Sequence, residues 1–96
     1  VTAKRTVREF PRRTPVHPKL QTCSVDLHGK TRLEALSELE RLLDRALLGG
    51  MDRLEIIHGL GTGALRDVTH DFLRASTHIR SFEVDMRNPG TTWAYL

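Results

Sequence analysis

Residues 56–66, IIHGLGTGALR, decide how this chain is read. Two branched apolar residues, Ile56 and Ile57, run into His58. Glycine then stands at every second position, Gly59, Gly61 and Gly63, before Leu65 opens a helical apolar period. A strand that ends in bare backbone and turns into a helix lets a ligand approach the main chain without side-chain obstruction. The ligand favoured there is an anion, because the unpaired N–H groups and the dipole of a helix N-terminus both present positive charge. The alternative is a tight turn with no ligand, but three glycines in five residues are more than a turn of this kind usually needs.

Working outward, the same pattern occurs once before. In TCSVDLHGKT, residues 22–31, Cys23, Val25 and Leu27 alternate with Ser24, Asp26 and His28, the period of a strand with one covered face. This strand too ends in His-Gly. Thr31 and Glu34 have the spacing of a capping box, so a helix is expected to start there. Leu36, Leu39, Leu43 and Leu47 form its expected buried stripe, and Gly49-Gly50 is expected to end it, since glycine accepts the left-handed conformation. After RLEIIH, residues 53–58, a second helix is expected to begin near Thr62 or Gly63 and to bury Leu65, Val68 and Phe72. IRSFEVDM alternates as a third strand, RNPG supplies turn residues, and TTWAYL reads as a fourth strand.

The order β-α-β-α-β-β implies an α/β fold. The two long crossovers suit parallel strands, and the short last turn suits an antiparallel hairpin. Polar residues on alternate positions of the first and third strands argue against helices on both sides. A two-layer sandwich, one mixed four-stranded sheet with both helices on one face, fits best.

The 96 residues suffice for one domain. No apolar run has the length of a membrane span and no signal-peptide pattern opens the chain, so no membrane association is expected. Cys23 is the single cysteine, which excludes an internal disulfide or a cysteine zinc site and suits a reducing cytoplasm. A chain that opens on Val1 is expected to be a piece of a longer protein. Charge is uneven. Residues 1–21 carry six basic side chains (Lys4, Arg5, Arg8, Arg12, Arg13, Lys19) against Glu9, net +5. Residues 22–96 carry nine basic against eleven acidic, net −2. With Pro11, Pro15 and Pro18, the first segment reads as an extended basic arm or linker, and residues 22–96 as the folded domain.

If the first two strands are parallel, both His-Gly turns lie at the carboxyl edge of the sheet, where open α/β sheets hold ligands. The phosphate-side candidates are then Gly59, Gly61, Thr62 and Gly63, with Lys30, Arg32 and Arg66 adding positive charge. Asp26 and His28 are two apart and point to the same side of a strand. Beside a phosphate, a carboxylate and an imidazole can hold a hard cation, position water or move a proton during phosphodiester cleavage. The local chemistry leaves the bland reading equally open, with Asp26 accepting turn N–H groups and His28 packing. Neither nucleotide fingerprint fits: the glycine spacing is not that of a dinucleotide fold, and the GKT at 29–31 lacks the first glycine of a P-loop. Trp93 and Tyr95 could stack on bases if their face is open, though packing is the more usual role. His17, His70 and His78 show no ligand spacing and are expected at the surface.

Taken together, VDLHG, IIHGLGTGALR, the amphipathic helix between them and the closing GTTWAYL resemble the Smr (small MutS-related) domain over residues 23–96, in the form carried at the C-terminus of the second bacterial MutS paralogue. The resemblance implies a fold like the C-terminal domain of bacterial translation initiation factor three. It also implies a nicking endonuclease acting on DNA or RNA, with Asp26, His28 and His58 as catalytic candidates, Asp26 and His28 also as metal-binding residues, and His58, Gly59, Gly61 and Gly63 as the phosphate-side loop. His28 in the motif leans toward Mg²⁺ or Mn²⁺ as cofactor. Leu60 stands where the family often has Lys, removing one possible phosphate contact. A larger protein of this kind would be an ATP-binding homodimer that brings the domain, itself a monomer, to branched DNA or to a stalled ribosome. The rival function is a DNA- or RNA-binding module that uses the same phosphate site without cleavage.

The arm yields the first expected outcome. Each phosphate contact adds roughly −0.9 to the log–log salt dependence of duplex binding. Removing residues 1–21 is therefore expected to weaken nucleic-acid binding at low salt and to flatten that slope. A truncated chain with unchanged affinity and slope would make the arm a tether only.

Overall fold

The computed structural model describes residues 20–96, so most of the basic arm lies outside the described residues. The elements are β1 (Thr22–Asp26), α1 (Arg32–Leu48), β2 (Arg53–Ile57), α2 (Ala64–Ala75), β3 (Ser81–Val84) and β4 (Thr91–Tyr95). The strands form one sheet in the order β1-β2-β4-β3. β1 runs parallel to β2, with Thr22 opposite Arg53 and Asp26 opposite Ile57. β4 is antiparallel to both of its neighbours, placing Ala94 between Leu54 and Phe82. The mixed four-stranded sheet expected from the sequence is present.

One face of the sheet supplies the core. Leu54, Ile56 and Ala94 are fully buried and join Leu39, Leu42 and Ala46 of α1 and Leu73 of α2 in a single cluster. Val68 and Phe72 pack partly buried against it. Both helices thus cover the same face. The other face is polar: Ser24 donates to Glu55 at 2.8 Å, Arg53 donates to Thr22 at 2.8 Å, and Tyr95 donates to Glu83 at 3.1 Å.

Thr31 caps α1 as the sequence implies. Its hydroxyl accepts from the Glu34 N–H at 3.1 Å, and the Glu34 carboxylate accepts from the Thr31 N–H at 2.9 Å. The backbone N–H of Thr31, then its hydroxyl, with Lys30 nearby, hold the Glu34 carboxyl below the usual carboxylate range. At the other end Gly50 takes the left-handed conformation, φ +64°, and Gly49 does not.

The buried stripe of α1 differs from the expected one. It runs Ala35, Leu39, Leu42, Leu43 and Ala46, while Leu36 and Leu47 are 37% and 42% exposed. The alanines explain the rotation: their small side chains let the helix backbone lie close to the sheet, and the flanking leucines are left at the margin. Leucines 36, 39, 43 and 47 share a helical period, but the face that packs is centred on the residues between them.

Loss of the capping box has a calculable effect. Thr31→Ala is expected to lower unfolding stability by about 1 kcal/mol, and Thr31→Ser to leave it nearly unchanged. Denaturant melts of the three proteins measure this, and equal midpoints for wild type and Thr31→Ala would show that the box contributes nothing.

Candidate functional site

The parallel pairing continues one step past β1, where the Leu27 N–H donates to the Ile57 carbonyl at 2.7 Å. Both His-Gly turns therefore emerge side by side. Between them lies an open groove of about 390 Å³. From the first turn come His28, Lys30 and Arg32, and from the second His58, Gly59, Gly61, Thr62, Gly63 and Arg66. Every glycine-loop and basic residue expected at a phosphate site borders this one groove.

The two helix ends that meet there are not equivalent. The Thr31–Glu34 box expected from the sequence occupies the N-terminus of α1 and puts a carboxylate at it. α2 begins on Gly63 with no side-chain cap, and the hydroxyl of Thr62 accepts from Ala64 N–H only at 3.3 Å. The positive end open to an anion is that of α2. Gly63 has φ +87°, and a Cβ there would stand 2.9 Å from the Arg66 guanidinium. The arginine therefore folds back over the bare glycine, at the mouth of the helix. Gly61 has ordinary φ and open space around it, so its lack of a side chain is not demanded by the fold.

Gly59, φ +81°, is clamped from below: a Cβ on Gly90 would lie 3.3 Å from its Cα. The Gly90 carbonyl accepts from both His58 N–H, 2.9 Å, and Gly59 N–H, 3.0 Å. Gly90 belongs to the turn joining β3 to β4, which is itself tied by Asp85. That carboxylate accepts from the Trp93 indole at 2.8 Å and from the N–H groups of Arg87 and Asn88 at 2.8 and 3.1 Å. These bonds, the indole's first, hold the Asp85 carboxyl below the usual range.

Asp26 and His28 lie at the end of β1, His28 in the turn just past it. The His28 ring rests against Gly59, where its Cδ2 would be 3.5 Å from an added Cβ. The Asp26 carboxylate accepts the His28 N–H at 2.9 Å and is not part of the groove wall. No three His, Cys, Asp or Glu side chains converge among the described residues, so they offer no closed metal cage. Asp26 is the carboxylate at this strand end that could hold a cation.

His58 is set apart from that pair. It is 4% exposed. Its Nδ1 lies 3.0 Å from the Gly59 carbonyl and its Nε2 2.8 Å from the Thr92 hydroxyl. The same hydroxyl is 2.9 Å from Nε2 of His70. His70 was expected at the surface, but it is half-buried between His58 and Phe82, with ring centroids 6.0 and 5.1 Å away. His78 is exposed as expected, and His17 lies outside the described residues. Thr92, Gly90 and His70 escaped the sequence reading because what joins them to the glycine loop is a contact across the sheet. Their only signals were a polar residue on the inward alternation of β4 and a histidine at the margin of an amphipathic helix.

Trp93 and Tyr95 occupy the open sheet face. The Arg53 guanidinium stacks 4.4 Å over the indole, and Glu55, Glu83 and Asp85 surround these rings with negative charge. This face is a poor platform for nucleic acid.

With this geometry in view, comparison with known proteins assigns the class. The Smr domain family model matches residues 25–96, and the chain belongs to the Smr domain family. It is 44% identical over 66 residues to Endonuclease MutS2 of Streptococcus thermophilus, an alignment that covers 69% of this chain and 8% of that protein. With Endonuclease MutS2 of Lactobacillus helveticus it shares 42% over 85 residues, 88% of this chain and 10% of that protein. The chain thus spans about a tenth or less of these relatives' length. The crystal structure of the Smr domain of Thermus thermophilus MutS2 superposes with TM-score 0.74 at 37% identity, covering 76% of this chain and 95% of that one. YdaL of Escherichia coli, a stand-alone small MutS-related protein, matches in fold at 18% identity, with TM-score 0.74 over 77% of this chain and 63% of its own. No helix among the described residues is long and apolar enough to cross a membrane.

The interior histidine makes stability depend on pH. Burial, followed by the charges of His58, Arg74 and Arg66, holds the His70 imidazole below the ordinary histidine range. A group whose folded pKa is depressed binds fewer protons folded than unfolded. Its contribution is complete above the unfolded value near 6.5 and is lost as pH falls below it. The melting temperature is expected to drop between pH 7.5 and 5.5, and to drop less in His70→Gln. Parallel curves for the two proteins would show that His70 carries none of this dependence.

Proposed function

We propose that this domain binds a phosphodiester of DNA or RNA in the groove between its two His-Gly turns and nicks it. The observation that carries the reading is the uncapped α2 N-terminus beneath the folded-back Arg66, with the His28 ring resting on Gly59 at the same groove. Lys30 and Arg32 extend the positive wall on the other side. A phosphate seated on the N–H groups of Gly61 to Gly63 would present its ester to His28, whose imidazole can take or give a proton at a ring nitrogen. Asp26 fixes the His28 backbone and supplies the one carboxylate at the strand end. Mg²⁺ or Mn²⁺ bound there would polarise a phosphoryl oxygen and neutralise developing charge. The names of the MutS2 relatives support nuclease membership. Within a longer protein of that type, the remaining chain would select the DNA or the ribosome on which the domain acts.

A second reading is favoured by one observation: the Asp26 carboxylate is engaged by its own turn and stands off the groove wall. In that case the domain binds the same phosphate without cutting it.

A nicking assay on supercoiled plasmid and structured RNA, with Mg²⁺, Mn²⁺ or EDTA, separates the two. Asp26→Asn is expected to leave binding largely intact and to reduce nicking by roughly a hundredfold or more. Gly61→Val is expected to fold normally and to weaken binding by about tenfold, the loss of a single phosphate contact of about 1.4 kcal/mol. Equal nicking by wild type and Asp26→Asn at saturating protein removes Asp26 from the chemistry. Absence of nicking under every metal condition leaves the binding module, and normal binding by folded Gly61→Val removes the phosphate from the loop.

A further inference from the structure

The His58–Thr92–His70 chain is directional, and its direction follows from proton counting. The Gly59 carbonyl can only accept, so the 3.0 Å contact from His58 Nδ1 requires a proton on that nitrogen. A neutral His58 then has a lone pair on Nε2, and the Thr92 hydroxyl, 2.8 Å away, must donate to it. A hydroxyl has one proton to give. Toward His70 Nε2, 2.9 Å away, the Thr92 oxygen can therefore only accept, so His70 carries its proton on Nε2. Two tautomers and one rotor are fixed by a single carbonyl. Thr92 is fully buried and His58 nearly so, which leaves neither group water to replace a lost partner.

We infer that Thr92 and His70 are positioning residues for the glycine loop, acting through His58. They lock the tautomer whose Nδ1–H engages the Gly59 carbonyl, an oxygen that would otherwise be free to turn toward an incoming phosphate. The Gly90 carbonyl holds the N–H side of the same peptide segment, so Gly59 is gripped at both of its polar groups. The chain runs from the half-buried outer end at His70, bordered by Phe82, Arg66, Arg74 and Asp67, to the start of the loop. Arg66 lies over Gly63, and its charge also acts on the His70 end of the chain.

The inference rests on the phosphate reading of the groove, and its test separates the two. Imidazole ¹⁵N spectra of the 96-residue chain at pH 7.5, without nucleic acid, are expected to show His58 protonated on Nδ1 and His70 on Nε2. Thr92→Val keeps the shape and removes the hydroxyl. It is expected to abolish the His70 preference and to weaken binding of a labelled DNA duplex by about tenfold, as loss of a histidine's orienting partner does elsewhere. Thr92→Ser should restore both. If Thr92→Val does not fold, His70→Phe makes the same test, since it removes the donor while keeping a ring against Phe82. Reversed tautomers in the wild type overturn the inference. So does wild-type affinity in Thr92→Val or His70→Phe when Arg66→Ala, measured alongside, loses binding. If Arg66→Ala also binds as wild type, the phosphate reading fails, and the tautomers alone then decide whether the chain exists.

Discussion

Because β1 and β2 run parallel in unbroken one-to-one register, their carboxyl ends stop level with each other. Each is followed by a glycine turn and then a helix, so the turns are forced into contact. A slip of β1 by one residue would send Ser24 and Asp26 into the core and Val25 and Leu27 out of it, which the buried cluster forbids. The hydrophobic alternation that builds the core is thus also what sets His28 against Gly59. Site geometry and fold stability are one constraint here, and no separate device is needed to bring the two motifs together.

The turn from β3 to β4 finishes what that pairing begins. Its Gly90 carbonyl serves two N–H groups of the second turn, and a Cβ at position 90 would crowd the Gly59 backbone at 3.3 Å. Two of the N–H groups at the foot of the loop are consumed in this way. Those left for a ligand lie further along, toward Gly61 and α2. The asymmetry of the helix ends has the same effect: the carboxylate of Glu34 discourages an anion at α1, and the bare Gly63 admits one at α2.

Much of this was legible in the sequence because it is local. The capping box of Thr31 and Glu34, the alternation of Cys23, Val25 and Leu27, and the glycine spacing after His58 are all short-range patterns, and each holds in the structure. What was not legible is long-range. The packing face of α1 depends on which side meets the sheet, so Ala35 and Ala46 displaced Leu36 and Leu47. The burial of His70 depends on Phe82 and Thr92, residues brought to it only by the strand order β1-β2-β4-β3. Alternation shows which face of a strand is covered, and strand order is not encoded in it.

The chain holds a single tryptophan, and its place has a practical use. Trp93 donates its indole N–H to Asp85, the residue that shapes the turn on which Gly90 rides. The bond from the indole to Asp85, the turn that Asp85 ties, and the bonds from the loop N–H groups to the Gly90 carbonyl connect the fluorophore to the glycine loop. Indole emission responds to the loss of a hydrogen-bonded carboxylate and to entry of water. The domain carries an intrinsic optical probe, wired through this turn to the rim of its groove.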